Sequence, residues 1–70
     1  MRYIVELTKS AVGRRVSLGT KDFQAFSDAE AVRKAEEWVA PLLELYINEI
    51  VHLQVTRSGY SVFGKLYGKL

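Results

Sequence analysis

The sequence predicts an α+β domain in which one helix packs on one face of a four-stranded antiparallel sheet, in the order β-β-α-β-β. Three observations predict it. Residues 26–46 carry a helix-start signal followed by a single amphipathic stripe. The segments on either side alternate polar and apolar residues, as half-buried strands do. Each flanking pair of strands is separated by a glycine-bearing turn, at Gly13 and at Ser58-Gly59. With 70 residues and no cysteine, the chain reads as one domain, 1–70, held by its core without disulfide or thiolate-metal staples.

The first strand, Arg2–Lys9, places Tyr3, Val5 and Leu7 on one face and Arg2, Ile4, Glu6 and Thr8 on the other. Ser10–Arg15 is a turn with a basic tip. Val16 and Leu18 resume the alternation, so the first two strands make a hairpin. Leu18 to Phe23 is an odd step that would flip Phe23 and Ala25 to the wrong face, which predicts a turn or bulge over Gly19–Asp22. Phe23–Phe26 is extended and leads into the helix.

Ser27 and Glu30 form an S-x-x-E capping box, and Phe26 stands where it can staple onto Ala31. Val32, Ala35, Val39, Leu42 and Tyr46 then recur at helical spacing, with Ala31, Trp38 and Leu45 widening the stripe. Pro41 cannot donate to Glu37 and crowds its carbonyl. The expectation is a break near Ala40, with Pro41 opening a second short turn. A kinked continuous helix is the alternative, because no glycine marks an end.

Taking Ser58-Gly59 as a two-residue loop fixes a register for the last hairpin. Arg57 faces Tyr60, Val55 faces Val62, Leu53 faces Gly64 and Val51 faces Leu66, which gathers the Val and Leu side chains on one face. Gly64 then leaves a hollow for Trp38. Strand order 2-1-3-4 makes every neighbour antiparallel.

The net charge of +2 conceals a partition. Residues 1–26 hold five cations and two acids, residues 27–49 two cations and six acids, and residues 50–70 three cations and no acid. The helix is acidic and its flanks are basic. No apolar run reaches membrane-spanning length, and the alternating start is a strand rather than an apolar leader. A cytoplasmic address is the resulting expectation.

Catalytic constellations are missing. The chain has one histidine, no cysteine, no G-x-S-x-G and no phosphate-cradling glycine loop, so neither an enzyme, a metal site nor a cofactor is expected. Attention falls instead on the sheet face that the helix leaves uncovered. In the register above it presents Phe63, Lys65, Tyr67 and Lys69 across from His52, Gln54 and Thr56. The candidate partner-binding set is therefore Lys9, Arg14 and Arg15 at the hairpin tip with His52, Arg57, Phe63, Lys65, Tyr67 and Lys69 on the sheet. Aromatic residues mixed with cations suit a protein–protein interface, including a homodimer. The alternative is single-stranded nucleic acid, stacking on Phe63 and Tyr67 with phosphates on Lys65, Lys69 and Arg2.

The stretch F-Q-A-F-S-D-A-E-A-V-R-K-A, Phe23–Ala35, set between two hairpins, resembles small bacterial and phage proteins of this layout, several anti-CRISPR proteins among them. The resemblance implies a non-enzymatic, stoichiometric inhibitor that occupies the nucleic-acid-binding surface of a host effector complex. It covers most of the chain and carries no site residue over.

Overall fold

Two two-residue turns frame the sheet. The computed structural model describes residues 1–68. In it β1 (Arg2–Ala11) turns into β2 (Arg14–Gln24) through Val12-Gly13. β3 (Val51–Arg57) turns into β4 (Tyr60–Tyr67) through Ser58-Gly59. All four turn residues have positive φ, at 49°, 77°, 52° and 83°. Such turns match the right-handed twist of the strands they join. The sheet order is β2-β1-β3-β4, all antiparallel, as the sequence predicts. Between the hairpins runs α1 (Asp28–Leu45), packed on one face.

β1 and β3 are the central strands, and their inward residues Tyr3, Val5, Leu7, Val51, Leu53 and Val55 are essentially inaccessible. Ala31, Ala35 and Val39 are the helix residues buried against them. Two of the three are alanines, so the helix buries little bulk at its centre. The bulkier Trp38, Leu42, Leu43 and Tyr46 pack around the margins.

Both hairpins carry a bulge. Leu7 pairs with Gly19 but Thr8 pairs with Ser17, which makes Leu18 the extra residue. The phase slip expected over Gly19–Asp22 is therefore a single bulge one residue earlier. β2 runs on unbroken, and Phe23 returns to the core face, its ring stacked 5.9 Å from that of Tyr3.

The second bulge corrects the register of the last hairpin. Arg57 faces Tyr60 and Thr56 faces Ser61, but Val55 faces Phe63, leaving Val62 as the extra residue. Leu53 then faces Lys65 rather than Gly64, and Val51 faces Tyr67 rather than Leu66. A slip of one residue turns the whole strand over. Phe63, Lys65 and Tyr67 consequently lie on the helix side, while Gly64 and Leu66 join His52 and Gln54 on the open side. The physical reason is the larger apolar area gained. Phe63 and Tyr67 pack against the core, where the turn-derived register would have placed Val62, Leu66 and a glycine. Trp38 accordingly sits elsewhere. Its ring lies 3.6 Å from the position a Gly19 Cβ would take, whereas Gly64 lies under His52 on the other face.

The helix start is capped as predicted by Ser27, whose hydroxyl accepts from the Glu30 amide at 3.2 Å. The Glu30 carboxylate meets Lys34 at 3.3 Å. Phe26 makes no staple, being 91% exposed. The entry is tied instead by buried Ala25, whose N–H donates to Met1 O and whose carbonyl accepts from the Met1 amine, both at 3.0 Å. Tyr3 adds a third tie, its hydroxyl donating to Asp28 Oδ1 at 2.6 Å. The expected break at Pro41 is absent, and α1 continues to Leu45. Pro41 and Glu37 are both exposed, so water can take the carbonyl that the proline leaves unbonded. Leu42, Leu43 and Tyr46 hold the last turns down. Leu45, which the stripe places inward, points to solvent.

Candidate functional site

The open face of the sheet follows from the two bulges. Alternation puts Ile4, Glu6, Thr8 and Ser10 of β1 there, with Arg15, Ser17, Thr20 and Asp22 of β2 across one border. His52, Gln54 and Thr56 of β3, then Ser61, Gly64 and Leu66 of β4, complete it. No Phe, Tyr or Trp of the four strands lies on this face among the described residues. The stacking platform that the sequence suggested is thus on the helix side.

The face is not uniform. At the end where the β1–β2 hairpin, the α1–β3 loop and the end of β4 meet, it deepens into a cleft of roughly 570 Å³ bordered by Thr8, Lys9, Arg15, Glu49, Ile50, His52 and Leu66. One wall is closed by Lys9 Nζ on Glu49 Oε1 at 2.9 Å, a link from β1 to the loop after the helix. Thr8 and His52 are cross-strand partners near the floor. Thr8 is only 5% exposed, and neither its hydroxyl nor His52 Nδ1 has a hydrogen-bond partner within the protein. A buried polar group left unpaired costs about 1–3 kcal/mol, so the floor has hydrogen-bonding capacity unmet by the fold. Arg15 supplies a charge that no acid neutralises among the described residues.

Apolar side chains gather on the opposite lip. Ile50 and Leu66 border the cleft, and Leu66 is 63% exposed. Ile47, 69% exposed, borders an adjoining hollow with Leu43, Tyr46, Tyr67 and Gly68. Gly68 seals this junction. At φ 128° it sits so close to the loop that a Cβ would lie 2.7 Å from Glu49 O. An apolar lip thus stands across the cleft from the charge of Arg15.

Of the residues proposed from sequence, the structure brings Lys9, Arg15 and His52 together in the cleft. Arg14 opposes Ala11 at the hairpin tip and points to the helix side. Arg57 lies at the far end of the sheet, its Nε 3.7 Å from Asp28 and its Nη1 3.4 Å from Met1 Sδ. Lys65 reaches Glu36 at 3.7 Å and lies 5.0 Å over the Tyr67 ring. Burial, with the charge of Glu36 second, raises the Tyr67 phenol above its ordinary range. Phe63 packs on the core, and Lys69 lies outside the described residues. Thr8, Ile47, Ile50 and Leu66 were missed. The signal for the isoleucines was present, since Ile47 and Ile50 follow the helix in a segment where no stripe accounts for them.

No group of three or more His, Asp or Glu side chains converges to hold a metal among the described residues. No helix among them is long and apolar enough to cross a membrane. Comparison with protein-family models, with curated proteins and with solved structures returns no match.

Proposed function

We propose that the chain is a small binding protein that docks a partner protein on the cleft end of its open face and acts stoichiometrically, by occupying the partner's surface. One observation carries this reading: exposed Ile50 and Leu66 border one side of a cleft whose other side holds the charge of Arg15, unpaired among the described residues, and exposed Ile47 extends the apolar side onto the adjoining hollow. The partner it fits presents apolar side chains beside a carboxylate, which would meet Arg15. A binding role suits these groups better than a catalytic one. The acid in the cleft is engaged by Lys9, and a guanidinium does not exchange protons near neutrality.

The test is quantitative capture from nuclease-treated lysate on immobilised protein, comparing the parent with Arg15→Glu/Ile47→Lys and with Arg33→Ala on the outer helix face. Proteins retained by the parent and by Arg33→Ala should fall at least about tenfold on the double variant, roughly 1.4 kcal/mol of binding. Equal retention on a double variant with an unchanged circular dichroism spectrum overturns the reading.

A further inference from the structure

A sheet of four strands has two edges, and here they are unlike. β2 is defended in the way natural edge strands are, by cations and a mid-strand bulge. Arg14, Arg15 and Lys21 lie along it without an ion-pair partner among the described residues, and Leu18 interrupts its regularity. Pairing this edge with itself would crowd like charges.

β4 is undefended. Its bulge sits near the turn, at Val62, and leaves Phe63–Tyr67 regular. That run carries one charge, Lys65, which Glu36 already draws toward the helix side. Leu66 stands exposed on the open face beside the exposed Ile50. The outward N–H and C=O groups of such a strand are a template for another extended segment.

We infer that the β4 edge pairs antiparallel with β4 of a second copy, giving a two-fold dimer with one continuous sheet of eight strands. The occupant is a second copy because the end of the strand, Lys65–Tyr67, is self-complementary about Leu66. A two-fold axis there sets Leu66 against Leu66 of the second copy on the open face. Lys65 then falls opposite Tyr67 of the second copy, reproducing between chains the cation–ring contact already made within one. The neighbouring register, centred on Lys65, opposes two ammonium groups and is disfavoured. Such an interface is isologous and closed. Leu66 borders both this edge and the cleft, but the pairing does not rest on the partner-binding reading, because it needs none of the cleft's charged groups.

Analytical ultracentrifugation of the purified protein at about 100 μM, where a micromolar association is populated, is the test. The parent should sediment at twice the chain mass of 7.9 kDa. Leu66→Lys and Leu66→Glu should each sediment at the chain mass, and their equimolar mixture should recover the dimer. Arg15→Glu should remain dimeric, which separates failure of this interface from failure of the cleft. A monomeric parent, or a Leu66→Lys variant still dimeric, overturns the inference. Because Leu66 is exposed, both substitutions should leave the fold intact. If a variant proves unfolded, hydrogen exchange of the parent decides: β4 amides protected at high but not low concentration support the pairing, and concentration-independent exchange overturns it.

Discussion

Val12 occupies an unusual position for its residue type. It is fully exposed at the β1–β2 tip with φ 49°, a left-handed conformation that costs a β-branched side chain about 1–2 kcal/mol. No packing offsets that cost. Val12→Asn, the residue such turns favour, should therefore stabilise the fold by about 1 kcal/mol and raise the melting temperature by about 4–8 °C. Calorimetry checks it. Tyr3 makes a prediction of the opposite kind. Its hydrogen bond to Asp28, aided by burial, raises the phenol above its ordinary value of 10.0. The unfolded chain then loses that proton first, so the stabilisation is whole below pH 10 and is lost as pH rises from there through the folded-state value. Tyr3→Phe should be less stable at pH 7 and should show a shallower alkaline decline in urea titrations across pH 9–11. The arginine–carboxylate link of Arg2 to Asp22, at 2.6 Å, works at the other end of the scale. It lowers the Asp22 carboxyl, and its contribution fades as pH falls through that lowered value.

At the scale of elements, α1 shows how packing overrides a local breaker. A proline inside a helix costs about 3 kcal/mol against alanine, yet α1 runs through Pro41 because Leu42, Leu43 and Tyr46 still face the sheet. Pro41 is exposed, so Pro41→Ala removes little packing and returns the Glu37 hydrogen bond. It should stabilise the protein by about 1–3 kcal/mol, read as a shifted midpoint in denaturant. The β-β-α-β-β order, the sheet order and the Ser27 cap were legible because each rests on local chemistry. The facing of β4 was not. Tyr60–Tyr67 carries apolar residues in both alternation phases, Val62 and Leu66 in one and Phe63 and Tyr67 in the other. Only competition for the core beneath the helix selects between them, and that competition is a tertiary effect. The same limit governed the site. Lys9, Arg15 and His52 could be singled out by type, whereas the burial of Thr8 and the exposure of Leu66 follow from two bulges with no marker residue.

Over the whole molecule, the acidic helix and its basic flanks fold into mutual contact. Glu36 meets Lys65, Asp28 meets Arg57 and Glu49 meets Lys9. Exposed pairs of this kind contribute at most about 1 kcal/mol each, so the charge partition does more to orient the layers than to stabilise them. Its remainder is the cationic β2 border. In the vocabulary of polymer chemistry, a protomer with one reactive edge and one blocked edge is monofunctional. Paired as inferred for β4, it would couple once and the product would have no growing end, because both outer borders of the joined sheet would be β2. Unblocking should change the kind of product rather than its amount. Arg14→Thr/Arg15→Thr/Lys21→Thr should convert a species of fixed size into a concentration-dependent ladder, visible by light scattering and by thioflavin fluorescence. Three cations along one border strand would then act as the chain terminator of the assembly.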